Sequence, residues 1–260
     1  MFYHIKPSSV DSYLSGICQQ LEPFFPDVRK HWKSLLVHHT LKGCKRIHVS
    51  PTKQKRALTH DDLLLVMNHY HLSSLHDDLL FVAQLLTGFF ALLRLGELTV
   101  PDDPRLHNPS KIVKWSSVTM NHESFTFFLP SHKGDRFFEG NTVILLNTPY
   151  PDIPTSHHFL SYLQSHNHLF PLSSPLWLTS SGSIPTRSFF LHRLHLFFSN
   201  DIGGHSMRVG GATDLALNGT PPSLIQPVGR WTSESFYVYI CRHPILIQAL
   251  LHSPPSTMSL

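Results

Sequence analysis

The chain has 260 residues, 41% of them hydrophobic and 15% charged, which provides a sizeable core and excludes a globally disordered polypeptide. Lys and Arg total 21 against 17 for Asp and Glu, a formal +4 that is compatible with a polyanionic partner without demonstrating one. The three cysteines, Cys18, Cys44 and Cys241, build neither a disulfide framework nor a zinc knuckle and favour a reducing compartment.

The first ten residues lack the charged and apolar regions of a signal peptide. Ser8 or Ser9 can cap a first helix reaching Leu21, before Pro23. Asp27 can cap a second, carrying Trp32, Leu35 and Leu36 and ending at Gly43. A basic, structure-poor stretch follows with Lys42, Lys45, Arg46, Lys53, Lys55 and Arg56. It reads as a linker over 49–57 between a small helical unit, 1–48, and a larger domain, 58–260. Its charge suits either a DNA-facing strap or a solvated connector. Thr59 and Asp62 have capping-box spacing ahead of Leu63, Leu64 and Met67. The apolar run 79–93, between Asp78 and Arg94, is shorter than the ~20 residues a bilayer requires and reads as a buried helix rather than a membrane span.

From Trp115 the pattern changes to short runs rich in Val, Thr and Phe at 117–120, 124–129 and 142–146. Turn-like residues separate them, so three antiparallel strands are expected. Helical patterns resume at 155–166, 186–198, 205–218, 222–228 and 232–242, followed by an apolar tail segment, 245–251. The fold class is therefore mainly α with a small three-stranded antiparallel sheet (α+β).

One polar signature stands out: Gly204-His205-Ser206-Met207-Arg208, then Gly210-Gly211-Ala212-Thr213. Residues three apart share a helix face, so His205 and Arg208 can address one target. Ser206 can cap that helix, and the small residues let another backbone pack closely. Gly229-Arg230-Trp231 lies downstream, with Tyr239 eight residues beyond Trp231. Upstream, Arg94 ends a buried helix within LLRLGEL, and Lys133 sits in the hairpin LPSHKGDRFFEG. Singly, each has a plain structural reading: a helix-terminal arginine, a solvated lysine, a core tyrosine. The histidine-rich sites 69/71, 157/158 and 166/168 lack a carboxylate or cysteine in ligand spacing, so no metal site is expected.

Taken together and in this order, these residues resemble the tyrosine recombinases, with the closest likeness to Crypton- and DIRS-type recombinases of eukaryotic, particularly fungal, mobile elements. FFALLRLGEL, LPSHKGDRFFEGNTV, GHSMRVGGATDLALNG, SLIQPVGRW and SFYVYICRHPILIQALL look like that group's blocks over roughly residues 55–252. The resemblance implies the tyrosine recombinase catalytic fold and a catalytic set of Arg94, Lys133, His205, Arg208, Trp231 and the nucleophile Tyr239. It implies DNA breakage and rejoining through a 3′-phosphotyrosyl bond, with no cofactor, metal or ATP. The expected partners are double-stranded DNA and further copies of the chain, a homo-tetramer on paired sites joined through the tail 245–251, in the nucleus. Expected DNA contacts are Lys45, Arg46, Lys53, Lys55, Arg56 and Arg230.

Tyr237 and Tyr239 are about 200° apart on a helix, so only one can face the phosphate, and the family pattern favours Tyr239. Type IB topoisomerases share the chemistry, but the GGAT and GRW blocks are recombinase-like. Two departures matter. Only about 50 residues precede the linker, half the family's usual N-terminal domain, and Pro227 falls where a helix is expected. The alternative is therefore a truncated or decayed, non-catalytic DNA-binding remnant.

Overall fold

The computed structural model describes residues 9–48, 55–121, 124–131, 135, 139–146 and 150–231. The chain divides into two compact units, 1–53 and 54–260.

In the first unit, α1 (Val10–Leu21) packs on α2 (Val28–Trp32), and α2 on α3 (Leu35–Ile47). The single second helix expected from the sequence is broken in two. Ser34 adopts an extended conformation (ψ 148°), and its hydroxyl accepts the Val37 N–H at 3.5 Å, so a new helix starts there, whereas Asp27 makes no side-chain cap. That helix runs through Gly43 instead of ending at it. Lys45 of its last turn pairs with Asp11.

The second unit is built around α5 (His76–Phe90). Eleven of its fifteen residues are buried, so it is surrounded on all sides rather than amphipathic. α4 (His60–Tyr70) packs against it, opened by the expected capping box: Thr59 Oγ1 accepts the Asp62 N–H, and the Asp62 carboxylate accepts the Thr59 N–H at 2.8 Å. A left-handed Leu92 (φ 52°) closes α5 and turns the chain into α6 (Leu95–Leu98).

The sheet has the order β1 (Thr119–Met120), β2 (Ser124–Leu129), β3 (Asn141–Leu146), antiparallel throughout. Thr126 pairs with Thr119 on one side and with Ile144 on the other. Residues 115–117 form a 3₁₀ turn, so the first strand is shorter than expected. Period-two alternation sends Phe125, Phe127, Leu129, Val143 and Leu145 into the core and leaves Phe128, Ile144 and Leu146 exposed. Phe125 stacks on Phe159 of α7 (Thr155–Leu169) at 3.9 Å, which joins the sheet to the α5–α7 layer.

α8 (Arg187–Leu194) is capped by Thr186 and stops four residues earlier than the apolar pattern suggested. α9 (Ser206–Leu217) lies against α5, and α10 (Pro222–Val228) against α9. The glycine pair of the GGAT block explains that first contact. A Cβ on Gly210 would overlap the Leu58 carbonyl oxygen, and one on Gly211 the Phe89 carbonyl oxygen. The backbones touch because these two side chains are missing. Pro227 is tolerated because α10 ends one residue later, and the Gly229 N–H still reaches the Ile225 carbonyl at 3.0 Å.

Gly211→Ala is therefore expected to lose about 1–3 kcal/mol by forcing α9 off α5. Gly43→Ala, where an added Cβ meets nothing within 4 Å, should instead gain up to ~1 kcal/mol of helix stability. Urea unfolding of both variants checks the contrast.

Candidate active site

The turn at residues 91–94 is the floor of the site. Leu92 belongs to a small apolar cluster with Ala212, Ala216, Ile225 and Trp231, so α9, α10 and the segment after α10 are all packed on that turn. Arg94 follows it as the N-cap of α6, with an extended backbone and a side chain 26% exposed. Glu97, one turn on and almost fully buried, accepts the Arg94 N–H at 2.9 Å with one oxygen and the Arg94 guanidinium at 3.0 Å with the other. This carboxylate had no role assigned from the sequence. The signal was present, because an acidic residue three positions after a helix start is capping-box spacing.

Arg208, on the first turn of α9, is wholly buried. It donates to the Leu92 carbonyl at 2.7 Å and to the Gly229 carbonyl, and its guanidinium lies 4.1 Å from the centre of the Trp231 ring. Trp231 folds back over Gly229 so closely that any Cβ there would lie inside the indole. That contact makes glycine the only residue suited to the first position of Gly-Arg-Trp. His205 is the N-cap of α9, and at its neighbour Gly204 a Cβ would overlap the side chain of Leu95, the residue after Arg94. Ser206 does not cap the helix with its side chain; its hydroxyl accepts the Gly203 N–H at 3.0 Å.

His205 is harder to protonate than an ordinary histidine. Desolvation is the first cause, and the positive charges of Arg208 and Arg94 add to it. The residue keeps an exposed edge, so the desolvation is partial.

Arg230 takes a left-handed backbone (φ 53°) and a side chain that is only 10% exposed. Its guanidinium donates to the Ala91 and Leu92 carbonyls, both at 3.3 Å, and lies 3.5 Å from Glu97. Beside it, a hollow of about 230 Å³ is lined by Ala91, Pro227, Val228, Arg230 and the residues opening β3, Asn141–Ile144. The end of the β2–β3 hairpin thus borders the arginine cluster.

Arg94, His205, Arg208, Arg230 and Trp231 are thereby brought together from three separate stretches of chain. Lys133, Tyr239 and Lys53 lie outside the described residues. Lys55 and Arg56 are in the same unit, at the approach to α4. Lys55 donates to the Asn200 carbonyl, and Arg56 pairs with Asp62 at 2.6 Å and Asp201 at 3.2 Å. Lys45 and Arg46 are on α3 of the first unit. Among the described residues, no group of three His, Cys, Asp or Glu side chains is placed to hold a metal ion, and no helix is long and apolar enough to cross a membrane.

The fold is that of the tyrosine recombinase catalytic domain. Among solved structures, XerA recombinase matches with a TM-score of 0.55 and 14% identity, covering 96% of this chain and 84% of that one. A lambda integrase (75–356) dimer bound to a COC′ core site matches at 0.52 and 13%, covering 90% and 79%. XerH site-specific recombinase bound to palindromic difH substrate, in a post-cleavage complex, matches at 0.52 and 16%, covering 82% of this chain. The chain spans 60% of the length of that XerH structure. No protein-family model and no curated protein matches the sequence.

Because the unfolded chain binds a proton at His205 more readily than the folded one, stability present above about pH 6.5 should decline as pH falls below it. The wild-type urea midpoint is expected to drop further between pH 7.5 and 5.5 than that of His205→Asn. Equal drops would remove His205 from the account.

Proposed function

We propose that the chain is a site-specific DNA recombinase or integrase that breaks and rejoins double-stranded DNA through a 3′-phosphotyrosyl bond, without metal or ATP. The observation that carries this reading is the convergence of Arg94, His205, Arg208 and Trp231 on the 91–94 turn. The fold likeness to XerA, to XerH on its difH substrate and to lambda integrase on its core site supports it.

In this reading the partly exposed Arg94, and Arg208 once bound DNA opens a path to its buried guanidinium, hold the nonbridging oxygens of the scissile phosphate, where negative charge grows during transesterification. A guanidinium has five N–H donors, and the two that Arg208 gives to carbonyls fix its plane. The Tyr239 oxygen attacks phosphorus, and the bond from phosphorus to the 5′-oxygen breaks. His205, neutral at pH 7 because of its lowered pKa, accepts the phenolic proton or hydrogen-bonds the phosphate. Lys133 protonates the departing 5′-oxygen. Trp231 stacks on Arg208 and props the segment that carries Tyr239. Lys45, Arg46, Lys53, Lys55 and Arg56 lie along the DNA backbone, with 1–48 acting as a partial core-binding domain. We further assign the chain to a Crypton- or DIRS-type mobile element acting in the nucleus, with the tail 245–251 docking on a neighbouring copy in a tetramer.

A pool of duplexes with a randomised core, each nicked so that the short 5′-hydroxyl fragment diffuses away, is expected to trap a covalent protein–DNA adduct in EDTA. The adduct should vanish for Tyr239→Phe and survive for Tyr237→Phe. No adduct from any duplex would favour the non-catalytic remnant, and an absolute need for magnesium or zinc would overturn the mechanism.

Lys133→Ala should block cleavage of ordinary DNA and recover with a 5′-thiol leaving group, which needs little protonation. Failure of the thiol substrate to rescue cleavage would pass the acid role to another group, Arg136 first.

A further inference from the structure

Three features of Arg230 work against stability. Its left-handed backbone is unfavourable for any residue with a Cβ. Its side chain is nine-tenths buried in a site that already holds Arg94 and Arg208. Its Nε–H is buried with no acceptor among the described residues. Glycine at this position would relieve all three.

What the side chain reaches is specific. One terminal nitrogen bridges the Ala91 and Leu92 carbonyls and the Glu97 carboxylate. Leu92 is the other left-handed non-glycine residue among those described, and its carbonyl also receives Arg208. Glu97 in turn holds both the backbone N–H and the guanidinium of Arg94. Arg230 therefore touches the two groups that orient the phosphate-facing arginines: the carbonyl that anchors Arg208 and the carboxylate that anchors Arg94.

We propose that Arg230 is a positioning residue that locks the Leu92 turn and Glu97 together, so that Arg94 and Arg208 are held in fixed register for one phosphate. This deepens the recombinase reading and rests on it. The role differs from a direct DNA contact. Nearly all of the guanidinium is enclosed, and its bonds run to protein carbonyls and to a carboxylate.

The test uses the full chain with Arg230→Gly and Arg230→Lys. Arg230→Gly relieves the left-handed backbone but leaves a cavity and strips the Ala91 carbonyl of a donor, so its melting curve is taken first to establish that it folds. Its Arg94 amide should exchange with solvent about tenfold faster, because Glu97 is no longer braced. Single-turnover cleavage of the duplex recovered from the randomised pool should fall at least about tenfold, with DNA affinity and its salt slope unchanged. Arg230→Lys, which can reach Glu97 but not all three acceptors, should restore part of the Arg94 protection.

Unchanged Arg94 exchange in Arg230→Gly would overturn the proposal. So would a salt slope reduced by about one phosphate, which marks direct contact with DNA. If Arg230→Gly does not fold, Arg230→Lys is compared alone and combined with Glu97→Gln. Additive effects would then overturn the assignment, and non-additive ones support it. The amide-exchange arm requires no DNA, so an absence of adduct from the wild-type chain would remove the recombinase reading while the bracing of Glu97 is still decided.

Discussion

Arg208 is a cation with no access to solvent, and its surroundings set the geometry of the whole site. A guanidinium taken out of water without partners costs several kcal/mol, so it is buried only where acceptors wait for it. Here they are the Leu92 carbonyl, the Gly229 carbonyl and the face of Trp231. The first belongs to the turn after α5, the other two to the segment after α10. Since Arg208 itself starts α9, one side chain fixes three elements relative to each other. A shift in any of them would leave a buried charge or a buried carbonyl unpaired.

Close approach of backbones makes that arrangement possible. Gly210 and Gly211 let α9 lie directly on the Leu58 and Phe89 carbonyls, and Gly229 gives up its side-chain volume to the Trp231 ring. The electrostatics follow from the same crowding. Arg94 and Arg230 both pair with one buried carboxylate, Glu97, which neutralises only part of their charge. Burial, helped by the positive charges of Arg208 and Arg94, depresses the pKa of His205, and burial depresses that of Arg230 although Glu97 opposes the shift.

At the approach to α4, one residue ties two segments of the second unit together. Arg56 is held by Asp62 and Asp201, and the same Asp62 closes the capping box of α4. The pairing anchors the start of the second unit while leaving the guanidinium about half exposed. Many of the histidines have plainer duties. His76 bridges Ser165 and the Leu178 carbonyl as a buried polar group satisfied inside the fold, and His166 bonds the Pro175 carbonyl through its Nε2.

Periodicity and capping chemistry are local properties, and the sequence by itself determined what depends on them. These are the buried α5, the Thr59–Asp62 cap, the registerable alternation of β2 and β3, and the span of α10. The ordered blocks around Arg94, His205, Arg208 and Trp231 also pointed to one site, through their resemblance to the tyrosine recombinases. The break at Ser34 was not legible, since a serine inside an amphipathic run reads equally well as a surface position. Nor was the role of Arg230, whereas that of Glu97 was signalled by its capping-box spacing. Only the tertiary structure decided that Leu92 would be left-handed, that Arg208 would be buried on two carbonyls, and that Arg230 would reach Glu97 across more than 130 positions of sequence. Those outcomes depend on where distant backbones meet, and the energies of such contacts are written in no single stretch of chain.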